Sequence, residues 1–145
     1  MAERDWMDRI MVAEHEACHA VVAQKLGLPV AWVTIDPGCD EGLNFDAAVK
    51  IPDELIDRDD PDTLKKICLA MATPYHFLTH HNDVIGHYAA LENMLALEIA
   101  GMAGIDTEDF DSETYHLFTD NEAEIIALAQ RLEAEGTITF ENVGV

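Results

Sequence analysis

The chain is 145 residues long and carries a formal net charge of −21, from 29 acidic and 8 basic residues. That length fits one domain with a real hydrophobic core. The charge repels nucleic-acid phosphates and anionic lipid surfaces, so no nucleic-acid or membrane partner is expected.

Three cysteines, Cys18, Cys39 and Cys68, lack C-x-x-C spacing, which argues against a disulfide framework and for a reducing compartment. No apolar run approaches membrane-span length and the start of the chain is unlike a secretory signal, so a cytoplasmic location is expected.

Apolar spacing predicts a first helix over residues 6–26, with Ile10, Ala13, Ala17, Val21 and Gln24 near one stripe and Gly27 as the breaker. Inside it stands His15-Glu16-Ala17-Cys18-His19, an H-E-x-x-H string. In a chain of this composition chance gives on the order of 0.03 such strings. A four-residue step on a helix puts the two imidazoles on one face, one turn apart, where they can grip one metal ion. Glu16, rotated about 60° from His19, can reach a water on that metal without being a ligand, as a general base does. The competing reading is a surface helix with solvated imidazoles. Ala17, Ala20, Val21, Val22 and Ala23 around the histidines argue instead for an interior helix, where unpaired imidazoles would be costly.

Residues 29–35 read as a strand ending at the turn Asp36-Pro37-Gly38. Residues 43–51 read as a second, weaker strand with Phe45, Ala47 and Val49 on one face, giving a small antiparallel pair beside the helix. Residues 52–62, rich in aspartate and holding two prolines, read as an exposed loop with at most one helical turn. Helical spacing follows over residues 63–80 (Leu64, Ile67, Cys68, Met71), with Pro74 as a kink. A further helix is read over residues 83–103 (Val84, Tyr88, Leu91, Leu95, Ile99, Met102). Residues 104–118 read as an acidic loop. Thr119-Asp120-Asn121-Glu122 then fits a capping box for a last helix carrying Ile125, Leu128, Ala129 and Leu132 and stopped by Gly136, before a short strand at 137–140. With no internal repeat or domain boundary, the expectation is an α+β, mostly helical single domain over residues 1–145 with a small sheet beside the H-E-x-x-H helix.

The run from His15 to Ala23, followed by Leu26-Gly27-Leu28-Pro29 and a Val-rich strand, resembles the peptidase domain of the FtsH-type AAA zinc proteases, whose motif reads H-E-A-G-H-A. Leu97-Glu98-Ile99-Ala100-Gly101-Met102-Ala103 looks like that family's L-A-G-R-A-A-E segment, and the Thr119-Asp120 segment looks like its S-N-D-L. The resemblance implies that His15 and His19 are zinc ligands, Glu16 the general base and Asp120 the third protein ligand. Read from the residues alone, Asp120 is equally a carboxylate complementing a helix dipole. Cys18 stands where the family has Gly. There is no Walker-type G-x-x-x-x-G-K-[ST] loop, so the resemblance is to a stand-alone, ATP-independent peptidase-like domain.

Other side chains compete for the third place. Glu92 and Glu98 share a helix that a compact bundle sets opposite the motif helix, and either could serve as a gluzincin-type ligand. His116 is a reserve. His76, His80, His81, Asp83 and His87 read as polar corner residues, and Met71, Met94 and Met102 as core filler. The function expected is zinc-dependent hydrolysis of peptide bonds in a peptide or unfolded protein, which could align against the edge near Trp32–Ile35 or Phe45. Room is left for a homo-oligomer. The rivals are an inactive zinc-binding regulatory module and an acidic partner-binding protein, including one that mimics nucleic acid.

Overall fold

The buried centre of the molecule is a helix, α1 (Arg9–Lys25), whose Ala13, Ala17, Cys18, Ala20 and Val22 have no exposed surface. In the computed structural model, residues 9–40, 43–45, 47–78 and 84–140 are described. The expected start of α1 near Trp6 lies outside them. Alanine is the best helix former and costs no side-chain entropy, so this run is both helical by propensity and slim enough to be packed on several sides. Gly27, at φ 85°, ends it. The Leu28 amide bonds the Ala23 carbonyl at 2.9 Å and the Gly27 amide bonds the Gln24 carbonyl at 3.0 Å, a Schellman closure that needs the left-handed residue between them.

The chain then forms β1 (Trp32–Thr34), β2 (Gly38–Asp40), β3 (Leu43–Phe45) and β4 (Ala48–Lys50). The single strand expected over residues 43–51 is thus two: β3 pairs with β2 in a hairpin, and β4 pairs with β1. The last strand, β5 (Thr137–Thr139), takes the other side of β1, so the sheet runs β4-β1-β5, antiparallel throughout. Val33 faces Val49 on one side and Ile138 on the other, which sets an apolar row across the three strands. Both edges of β1 are therefore occupied, so of the two edges expected to take a peptide the one along Trp32–Thr34 is closed by β4 and β5, while Phe45 lies on β3, which pairs with β2.

A single 3-10 turn (Asp53–Leu55) interrupts the acidic loop. Asp60 then caps α2 (Pro61–Ala72), accepting from the Thr63 amide at 3.1 Å and the Thr63 hydroxyl at 2.9 Å, with Pro61 in the first turn, where its missing N–H is no loss. Pro74 opens the short α3 (Pro74–Leu78), as the kink predicts, and α4 (Val84–Met102) follows.

The C-terminal third differs from expectation. Residues 104–118 are not all loop, and Thr119-Asp120 caps nothing: α5 runs unbroken from Phe110 to Glu135, 26 residues. Phe110, Thr114, Phe118, Ile125, Leu128, Ala129 and Leu132 form one buried stripe along it. Burial of that stripe outweighs the local capping signal. Thr119 and Asp120 lie exposed on the outer face, and Asn121 spends its side-chain amide on the Leu117 carbonyl at 2.8 Å. α5 packs along α1, with Lys25 and Glu124 paired at 2.8 Å. Gly136, at φ 80°, turns the chain into β5 beside the Asp36 carboxylate, which a Cβ there would strike.

The architecture is α+β, mostly helical, with a three-stranded antiparallel sheet. Among the described residues no helix is long and apolar enough to cross a membrane.

Candidate metal centre

His15 and His19 come one turn apart from α1, and their rings meet edge-on with centroids 4.8 Å apart. The Nε2 atoms face each other at 3.2 Å. Glu92, from α4, closes the group: its Oε1 is 2.8 Å from His15 Nε2 and its Oε2 is 3.2 Å from His19 Nε2. Among the described residues this is the one cluster of three such side chains whose ligand atoms lie within 4.8 Å of one another.

These separations suit a divalent ion. Bonds of about 2.0–2.1 Å in a tetrahedral site put neighbouring ligand atoms about 3.3 Å apart, close to the 2.8–3.2 Å found here. The hydrogen bonding agrees. Glu92 Oε1, though close to His15 Nε2, lies off the line that a hydrogen bond needs, and like His15 Nδ1 it is buried without a hydrogen-bond partner among the described residues. Two imidazole nitrogens and a carboxylate converging in a largely buried site can hold a shared cation, a proton or a metal ion. His19 is prepared for it, since its Nδ1 donates to the Ala70 carbonyl at 2.9 Å and thereby leaves Nε2 as the ligand atom of the neutral ring.

Charge follows the same geometry. Burial opposes protonation of His19, but the hydrogen bond to Glu92, with the Glu92 and Glu16 charges, outweighs it and lifts the ring to about 9. Burial would raise the Glu92 carboxyl, yet the two imidazoles overcome it and hold that group well below the usual carboxylate range. Glu16 differs. Its Oε2 lies 4.0 Å from His15 Nε2, beside the cluster rather than in it. Burial pushes its pKa upward; His15 and His19 pull it down and Glu92 adds to the rise, with burial winning. A carboxylate raised in this way is better suited to taking and returning a proton.

The structure thus unites His15, His19 and Glu16 as the motif requires, but it does not bring Asp120 to them. Asp120 is exposed in the middle of α5 and is not part of the cluster. Glu98 is exposed on α4 and His116 on α5. Glu92 is the carboxylate at the imidazoles, and a signal for it was present: it falls three residues after Ala89 and four before Ala96, next to the buried face of α4 that Ala89, Ala96 and Ala100 mark, whereas Glu98 is turned away.

His76 is a structural residue, its Nε2 donating to Thr114 Oγ1 at 2.7 Å while that hydroxyl donates to the Phe110 carbonyl at 2.9 Å. His80, His81 and Asp83 lie outside the described residues, as does the side chain of His87. Met94 and Met102 are not core filler: they are 65% and 83% exposed, whereas Met71 packs against the buried core. Cys18 is wholly buried in the main core, and burial pushes its thiol far above the ordinary range.

Compared with protein-family models and with curated proteins, the chain matches none.

Proposed function

We propose that this protein is a zinc-dependent metallopeptidase-like hydrolase in which His15, His19 and Glu92 hold the metal and Glu16 is the general base. The observation that carries this is the convergence of two Nε2 atoms and one carboxylate at 2.8–3.2 Å with a second, separately placed carboxylate 4.0 Å from His15 Nε2. A structural site would be closed by four protein ligands, whereas three ligands and an adjacent base are the composition of a hydrolytic one.

Zinc in such a site supplies Lewis acidity toward a carbonyl and toward water. The chain's own residues do the rest. Glu16 accepts the proton of the attacking water and returns it to the leaving amine, a task for which its burial raises its basicity. His19, braced on Ala70, keeps its ligand nitrogen aimed. Of the FtsH-type resemblance, the motif helix and the class of reaction are kept, while the third ligand moves from Asp120 to Glu92.

The test is hydrolysis of an unfolded protein such as casein by zinc-loaded wild type and Glu16→Gln, with metal content measured on both. Loss of about 10²–10⁴ in rate at unchanged zinc content supports the proposal. Zinc bound by both with no hydrolysis by either would favour the inactive zinc-binding module.

A further inference from the structure

We propose that Pro74 is a positioning residue for the metal centre: lacking a backbone N–H, it leaves the Ala70 carbonyl free for His19 Nδ1, which fixes the tautomer of His19 and points a bare Nε2 at His15 and Glu92. This rests on the reading of that cluster as a metal centre.

In an α-helix each carbonyl accepts the N–H four residues on. Four residues after Ala70 stands Pro74, which has none to give. The contrast with the preceding carbonyl is sharp. Leu69 O is bonded twice, by the Thr73 amide at 3.1 Å and the Thr73 hydroxyl at 2.6 Å. Ala70 is buried, so its carbonyl needs a partner from within the protein. His19 Nδ1 supplies it at 2.9 Å across the contact between α1 and α2.

The break between α2 and α3 thereby becomes part of the centre. A prolyl residue, itself wholly buried, exposes one main-chain acceptor toward the motif helix, and a ring that donates from Nδ1 presents Nε2 without a proton when neutral. His15, whose Nδ1 has no hydrogen-bond partner among the described residues, has no such brace.

The test is Pro74→Ala, which restores an amide N–H to compete for Ala70, beside Thr73→Val, which removes a buried hydrogen bond from the same turn without adding a donor toward Ala70. Two readouts are taken: the ring 15N shifts of His19 in metal-free protein, followed upward in pH until the ring is neutral, and zinc affinity by chelator competition. Wild type is expected to show His19 protonated on Nδ1. Pro74→Ala should shift it toward Nε2–H and weaken zinc roughly ten- to a hundredfold, while Thr73→Val changes neither. Retention of Nδ1–H and near-wild-type affinity in Pro74→Ala, or an equal loss in Thr73→Val, would overturn the proposal. If Pro74→Ala does not fold, wild type alone decides: a scalar coupling from His19 Nδ1 to the Ala70 carbonyl carbon upholds the brace, and an Nε2–H ring overturns it. A tautomer switch in a chain that binds no zinc would uphold the Pro74–His19 link and overturn the metal centre, so the two failures read differently.

Discussion

His15 Nε2 and His19 Nε2 face each other at 3.2 Å with the Glu92 carboxylate against both. Two bare ring nitrogens at that distance repel, so a cation belongs between them, either a proton or a metal. Which of the two it is determines what the protein does.

If a metal, the carboxylate that matters is Glu92 and not Asp120. Glu92→Gln removes the anionic ligand and should weaken zinc by at least tenfold in a chromogenic-chelator competition, with a melting temperature that no longer rises on adding zinc. Asp120→Asn, at an exposed mid-helix position, should bind zinc as wild type does and change stability by no more than about 0.5 kcal/mol. The reverse ranking would restore Asp120 as the ligand.

The metal-free protein has a pH signature of its own. His19 is raised from its ordinary 6.5 to about 9, so its pairing with Glu92 contributes stability that is fully present below 6.5 and lost as pH rises through 9. Glu92 is lowered from 4.5, so its contribution is present above 4.5 and lost as pH falls. Melts of chelator-treated protein should therefore show this pairing at full strength between 4.5 and 6.5. Zinc must displace the His19 proton, so its affinity should climb with pH until about 9. A zinc affinity flat from pH 6 to 9 would remove His19 from the ligand set.

Cys18 stands where the resembling family has glycine, and the structure gives it a packing role. It is buried in the main core with its thiol pushed up by burial, so native protein should leave it unlabelled by a thiol reagent. Cys18→Gly should cost more than the roughly 0.3 kcal/mol of helix propensity alone, because a cavity is added, and should leave zinc affinity unchanged. Denaturant titration checks the first and chelator competition the second. A stabilised variant that binds zinc more tightly would mean that Cys18 crowds the centre.

What the sequence made legible follows from how local each signal is. The motif helix, the Pro74 break and the Gly136 stop are written in residues whose effect is confined to a turn or two, and they lie where expected. The start of α5 was hidden because Thr119-Asp120-Asn121-Glu122 mimics a cap while the stripe from Phe110 to Leu132, which overrides it, declares itself only when packed on α1. Glu92 was named beside Glu98 without a choice between them. Choosing needed the rotational setting of α4, which Ala89, Ala96 and Ala100 fix by burial. The sheet order was out of reach for a similar reason: β5 reaches β1 only after α5 has carried the chain back across the molecule.

The most direct test of the metal centre is elemental analysis of the full chain purified without a histidine tag, with Glu92→Gln in parallel. A metal held by His15, His19 and Glu92 predicts about one zinc per wild-type chain and a content near background in the variant. A wild-type protein that carries no stoichiometric metal, even after dialysis against zinc, would mean that the cluster shares a proton and that no metallopeptidase is built here.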